Sequence, residues 1–261
     1  MVTLASLPHT LTALDVMRDA PVIPVIVIHQ LEHAVPLARA LVAGGIRMLE
    51  VTLRTPVALE AMRLIANEVP EAVLGAGTVR SVSDLEASAK VGARFFVSPG
   101  YTKAIGLASK AMQLPLLPGV ATGSEIMQAQ EDGLTELKFF PAMQAGGLAM
   151  LKAWGGPFTD IRFCPTGGLS LANAPEFLAL SNVVCVGGSW LTPQDAVDSG
   201  DWARITQLAK DAANKSELDE ILYNTAESLR ALAVLLHPVM PAVTEKLWQS
   251  LGASSLGAIG D

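Results

Sequence analysis

The sequence predicts an α/β chain built as a (β/α)8 TIM barrel, with a C-terminal helical segment appended to it. Two observations carry that reading. Short β-branched apolar runs recur at Val22–Ile28, Met48–Leu53, Ala72–Ala76, Arg94–Ser98, Leu116–Pro118, Glu136–Phe139, Ile161–Pro165 and Val183–Gly187, with successive starts 20–26 residues apart. That interval holds one strand, one helix and two short loops. Between the runs lie segments of helical spacing. Leu31–Ala43 carries Leu31, Val35, Leu37, Ala38, Leu41 and Val42 and stops at Gly44-Gly45, and Pro56–Val69 and Ser81–Val91 read the same way. Strand alternating with helix requires a parallel sheet, and eight such units are the number that closes a barrel. An open doubly wound sheet is the competing arrangement, but no glycine-rich dinucleotide turn follows the first run.

The eighth unit ends in a helix over Asp201–Ala213, which places one domain over residues 1–213 and an extension over 214–261. The extension reads as two helices and a frayed tail. Ser216 is an N-cap followed by Glu217, Asp219 and Glu220, and Leu229–Met240 is apolar on nearly every side. After the prolines at 238 and 241, Leu247, Trp248 and Leu251 share a helical face.

Composition bounds the function. With 51% hydrophobic residues the 261-residue chain buries enough apolar surface to offset the entropy of ordering, which excludes disorder. A net charge of −7 and a pI near 5.1 argue against partners such as nucleic acid or an anionic membrane. Two cysteines, Cys164 and Cys185, are too few for a disulfide framework and read as buried reduced thiols. No run approaches the roughly 20 apolar residues of a membrane span, and no basic flank precedes an apolar core at the N-terminus, so the expectation is a cytoplasmic protein.

Barrels work at the C-terminal ends of their strands, which narrows the search for chemistry. Lys138 stands in Leu137-Lys138-Phe139-Phe140-Pro141, among apolar neighbours. An amine withdrawn from water favours its neutral form, which attacks a carbonyl to form a Schiff base, whereas an outward-pointing lysine would only snorkel over the aromatic rings. Alternation in Met48–Arg54 turns Leu49, Val51 and Leu53 toward the helices and Glu50, Thr52 and Arg54 toward the interior. A carboxylate there needs a partner, either in an ion pair that merely fills the barrel or as a general acid/base beside a nucleophilic amine. Arg54 would bind a substrate carboxylate. Strands seven and eight end in Thr166-Gly167-Gly168 and Gly187-Gly188-Ser189, the positions where barrels cradle phosphate with backbone N–H groups. Gly75-Ala76-Gly77-Thr78 ends strand three in a similar way. His29 and His33 are four apart, but they straddle a strand end and a helix start and Gln30 follows His29, so solvated histidines are expected and no metal ligands.

Taken together, the motifs resemble those of 2-keto-3-deoxy-6-phosphogluconate aldolases. They are LEVTLRT around Glu50, GAGT at Gly75–Thr78, SPG at Ser98–Gly100, LPG at Leu117–Gly119, KFFPA at Lys138–Ala142, RFCPTGG at Arg162–Gly168 and GGSW at Gly187–Trp190, in order over residues 10 to 212. The resemblance implies a metal-independent class I aldolase of the Entner–Doudoroff route, in many members also active on 4-hydroxy-2-oxoglutarate, usually a homotrimer and with no cofactor beyond the Schiff base. It makes Lys138 the Schiff-base lysine and Glu50 the acid/base. Arg54 and Thr78 would hold the pyruvate carboxylate. Thr166, Gly167, Gly168, Gly188 and Ser189 would meet the hydroxyls and phosphate, and Pro99 and Phe140 would wall the site.

The extension is similar to part of the helical anticodon-binding domain of methionyl-tRNA synthetases, as though the two had been joined as an engineered fusion. From Ser216 onward it has two basic residues, Arg230 and Lys246, against six acidic ones, which is no footprint for tRNA. Its apolar face, with Leu229, Leu232, Leu236, Leu247 and Trp248, would need cover from the barrel, a symmetry mate or a partner chain. The competing functional reading is therefore a trimeric scaffold for a larger assembly, with aldolase activity incidental or absent.

Overall fold

The computed structural model describes residues 11–213, so the expectations for 214–261, including the surface at Leu229, Leu232, Leu236, Leu247 and Trp248, lie outside the described residues. The chain divides between Ala213 and Asn214 into two units. The first opens with helix α1 (Ala13–Arg18), which the strand–helix beat did not anticipate. Its signal is local: Thr12 accepts from the Asp15 N–H while the Asp15 carboxylate accepts from the Thr12 N–H, a reciprocal cap that satisfies two orphan donors.

The beat then runs as expected through β1 (Val22–Ile26), a single 3-10 turn (Leu31–His33), α2 (Ala34–Ala43), β2 (Met48–Thr52), α3 (Ala58–Glu68), β3 (Val73–Gly77), α4 (Val82–Lys90), β4 (Phe95–Val97) and α5 (Lys103–Met112). The fifth run, expected to end at Pro118, stops before it as β5 (Leu116–Leu117), and a further strand, β6 (Gly119–Val120), follows the proline. Proline has no N–H for a ladder, although the Pro118 carbonyl still accepts from Lys138 N–H at 2.9 Å. There follow α6 (Gly123–Glu131), β7 (Glu136–Phe139), α7 (Gly147–Trp154), β8 (Arg162–Pro165), α8 (Ala174–Leu178), β9 (Val186–Gly188), α9 (Gln194–Ser199) and α10 (Trp202–Ala213). β1, β4 and β9 are each two residues shorter than the sequence suggests, and β2 and β8 one residue shorter. β1 ends at Ile26 because the Ile26 and Ile28 carbonyls accept from the Thr52 and Thr55 hydroxyls, at 2.8 and 2.6 Å. β9 starts at Val186, with Val183 making only an isolated bridge to Phe163.

Every strand pair is parallel. One sheet runs β5-β4-β3-β2-β1-β9 and the other β6-β7-β8. Isolated parallel bridges at Phe163–Val183 and Thr166–Gly187 carry the pairing from β8 toward β9. The alternation of strand side chains sorts the core into two layers. Leu49, Val51, Leu74, Ala76, Phe96, Leu137, Phe139 and Phe163 pack outward with helix residues such as Leu41, Met62, Ile65 and Leu85. Ile23, Met48, Phe95, Val97, Leu117, Cys164 and Cys185 form a separate inner cluster that takes Val16 and Met17 of α1. Both cysteines are buried and stand outside any disulfide. Among the described residues no helix is long and apolar enough to cross a membrane.

Candidate active site

Glu50 on β2 and Lys138 on β7 are the ionisable pair of the interior, 2% and 4% exposed, and Lys138 Nζ stands 3.4 Å from Glu50 Oε1. They come from strands 88 residues apart in the chain, brought together by the inward alternation that also sends Leu49 and Leu137 into the outer layer. Neither charge has water to fall back on, so each depends on the other. Lys138 Nζ also lies 5.1 Å from the centroid of the Phe140 ring, which ties the pair to a neighbouring cavity.

That cavity holds about 150 Å³ and is gathered from the C-terminal ends of β1, β2, β7, β8 and β9. Its walls include Arg54, Phe140, Thr166, Gly167, Gly168, Gly188 and Ser189, all singled out from the sequence. Gly167 and Gly168 have φ of 104° and 77°, backbone that side chains resist, and their loop is tied to that of β7 by Ala142 N–H to the Thr166 carbonyl, 2.8 Å. Thr166 is buried, with its hydroxyl donating to the Cys164 carbonyl at 3.4 Å. Ser189 is exposed at the rim.

Arg54 donates from Nε to Thr78 Oγ1 at 3.0 Å, which fixes the guanidinium plane and leaves its outer N–H groups for a ligand. Thr78 has φ of 61°, unusual for a β-branched residue, and is clamped there by Leu53 N–H to the Gly77 carbonyl and Val79 N–H to the Val97 carbonyl. Arg54 thus brings a cation to the cavity wall, beside the buried Lys138–Glu50 pair, a placement that suits an anionic ligand.

Lys138, Glu50, Thr78 and Pro99 are the predicted site residues that do not line this cavity; the first two meet beside it, Thr78 reaches it through Arg54, and Pro99 stands apart. Pro99 is exposed after β4, and its carbonyl lies against Gly119. The histidines depart from the reading of both as solvated. His29 is exposed, but His33 is half-buried and meets the Trp202 ring edge-on, with centroids 5.7 Å apart. Sequence reasoning missed Val25, Val27 and Leu169 in the wall. Alternation along β1 sets Val25 with Ile23, but an unbroken apolar run gives no sign of which face is the interior.

Residues 14–208 match the family described as KDPG and KHG aldolase. The chain belongs to the KDPG and KHG aldolase family. The KHG/KDPG aldolase of Escherichia coli K12 is 52% identical over 207 residues, covering 79% of this chain and 97% of the relative. The 2-dehydro-3-deoxy-phosphogluconate aldolase of Dickeya dadantii is 55% identical over 201 residues, covering 77% and 94%. Among solved structures, the Legionella pneumophila KDPG aldolase, with pyruvate captured as a covalent carbinolamine, is 48% identical with a TM-score of 0.76 and covers 77% of this chain and 98% of its own. Aldolases are lyases, so family membership implies a lyase. Residues 203–258 match the anticodon-binding domain of tRNA ligases, in agreement with the resemblance of the extension.

Proposed function

We propose that the chain is a class I aldolase that cleaves 2-keto-3-deoxy-6-phosphogluconate to pyruvate and glyceraldehyde 3-phosphate, and also accepts 4-hydroxy-2-oxoglutarate. The observation that carries the reading is the buried amine 3.4 Å from a buried carboxylate, beside a cavity entered by an arginine. In this scheme Lys138 Nζ attacks the C2 ketone, and Glu50 relays the protons that release water and leave an iminium. Removal of the C4 hydroxyl proton by Glu50 cleaves C3–C4, and the electron pair is taken up by the iminium as an enamine. Glyceraldehyde 3-phosphate leaves, C3 regains a proton, and water hydrolyses the iminium to pyruvate and free Lys138. No metal enters any step.

Arg54, held by Thr78, takes the carboxylate end in a charge-assisted contact. Thr166, Gly167, Gly168, Gly188 and Ser189 receive hydroxyls and phosphate, and Phe140 and Pro99 flank the path. The fold reading extends to a closed eight-stranded barrel, supported by the bridges between β8 and β9 and by the single residue, Pro118, between β5 and β6. We also read 1–213 as the catalytic domain and 214–261 as a separate extension, and the assembly as a homotrimer in the cytoplasm. The alternative of a scaffold with incidental activity is not favoured: the chain is about half identical to working aldolases over most of its length, and the ion pair of the site is intact.

Incubation with pyruvate and sodium borohydride, followed by intact and peptide mass measurement, tests the site. A reduced pyruvyl adduct on Lys138 is expected; a folded sample with no adduct, or with the adduct on another lysine, refutes it.

A further inference from the structure

We propose that Gly77 is a positioning residue for Glu50: its missing side chain is the seat in which the Glu50 carboxylate lies when it faces Lys138. Glu50 stands opposite Gly75 in the register of β2 and β3, and Gly77 stands opposite Thr52, one inward-facing position nearer the C-terminal end. A Cβ built on Gly77 would come 2.4 Å from Glu50 Oε1, 2.6 Å from its Cγ and 2.9 Å from its Cδ, so the three nearest atoms all belong to the one side chain. Oε1 is also the atom that faces Lys138 Nζ. The volume at Gly75, by contrast, is filled from the opposite neighbour: a Cβ there would meet the Phe95 ring of β4 at 2.2 Å. The two inward glycines of β3 are therefore occupied from its two flanks, by a ring at Gly75 and by the acid/base carboxylate at Gly77.

The backbone does not demand glycine at 77, since its φ lies outside the left-handed region where the other special glycines of the site fall. What demands it is the volume that Glu50 occupies. A methyl group at 77 collides with the mobile end of a side chain and with no main-chain atom among its nearest contacts, so the fold adjusts by swinging Glu50 aside. That displaces the carboxylate from Nζ by the distance over which proton transfer fails, while Lys138 and the Arg54–Thr78 pair stay where they are.

This inference rests on the acid/base role given above to Glu50, and the experiment separates the two. The C3–H exchange of pyruvate in deuterated water is followed by NMR across pH for the parent, Gly77→Ala, Glu50→Gln and the double variant, beside borohydride trapping on Lys138 at varied pyruvate. Gly77→Ala is expected to slow exchange by roughly 10–100-fold and to change the pH profile, with the half-saturating pyruvate concentration for trapping little altered. In the Glu50→Gln background the same glycine change is expected to have less than about a twofold effect, because the group it displaces is already inert. Exchange by Gly77→Ala within about twofold of the parent, while Glu50→Gln is inactive, overturns the seat and leaves the acid/base reading standing. An equal further loss in both backgrounds overturns it too. Parental exchange by Glu50→Gln overturns the acid/base reading, and the seat falls with it. Should Gly77→Ala fail to fold, adding Glu50→Ala, which removes all three crowded atoms, with Lys138→Met so that no charge is orphaned, is expected to restore folding; no restoration refutes the seat.

Discussion

Replacing Lys138 with methionine keeps the shape of the side chain and removes the charge that faces Glu50. At 3.4 Å the pair interacts by about 5 kcal/mol at an effective dielectric of 20, a gross figure that desolvation of both groups largely offsets. What the single substitution exposes is that desolvation: Glu50 is left 2% accessible with no counter-charge, and removing one partner of such a buried pair costs roughly 3–5 kcal/mol. For a unit of about 200 residues each kcal/mol moves Tm by roughly 2–4 °C, so Lys138→Met should melt some 6–20 °C below the parent. Adding Glu50→Leu removes the orphaned charge and should recover most of that loss, since well-packed apolar replacements of a buried pair are about neutral to 1–4 kcal/mol stabilising. Thermal unfolding at pH 7, followed by circular dichroism on parent, single and double variants, reads both numbers. Neither variant should trap pyruvate. A Lys138→Met that melts within about 1 °C of the parent, or a double variant no better than the single, would refute the claim that these two charges hold each other in the interior.

Three further outcomes follow from the geometry. Gly119→Ala would put a Cβ 2.3 Å from the Pro99 carbonyl oxygen, against main chain that cannot swing aside, so it should cost roughly 1–3 kcal/mol in urea unfolding, clearly more than Gly77→Ala. Arg54→Lys loses the Nε donor to Thr78 and the forked guanidinium, and should raise KM for the keto acid by about 10-fold or more with a smaller effect on kcat. Tyr101→Phe tests a pH linkage. The Tyr101 hydroxyl, 2.7 Å from Asp132 Oδ2, together with Lys103 and Lys110, holds the Asp132 carboxyl below the usual range, while burial and then Asp132 push the Tyr101 phenol up. The Asp132 contribution is present above the ordinary carboxylate pKa and lost as pH falls through its folded value. The Tyr101 contribution is lost as pH climbs past about 10. The stability gap between parent and Tyr101→Phe should therefore be widest near neutrality and narrow toward both extremes in denaturant melts.

Much of the fold was legible because period and punctuation are local. The strand–helix beat, the glycine stop after Ala43 and the helical segment from Ser81 were legible, since each depends on residues within a few positions of each other. The failures were also local in origin. Thr12 and Asp15 lie before the first strand, outside the strand–helix beat, and Pro118, expected to end the fifth strand, stands between β5 and β6. Of the site, the inward parity of Glu50 and the glycine pairs after β8 and at the end of β9 could be read, because a two-residue period assigns faces, and glycine pairs mark strand ends, without knowing the partner strand.

The sequence by itself determined which residues can do chemistry: an amine among aromatic side chains, a carboxylate on the inward face of a strand, and glycines where backbone must approach a ligand. Only the tertiary structure decided which of them meet. The 3.4 Å between Lys138 and Glu50, the hold of Thr78 on Arg54, the absence of Pro99 from the cavity wall and the fit of Glu50 over Gly77 all depend on strand register and side-chain reach across the interior. Those quantities couple residues tens of positions apart, and no short-range pattern encodes them, because the energy that sets them is gained only when distant strands pack.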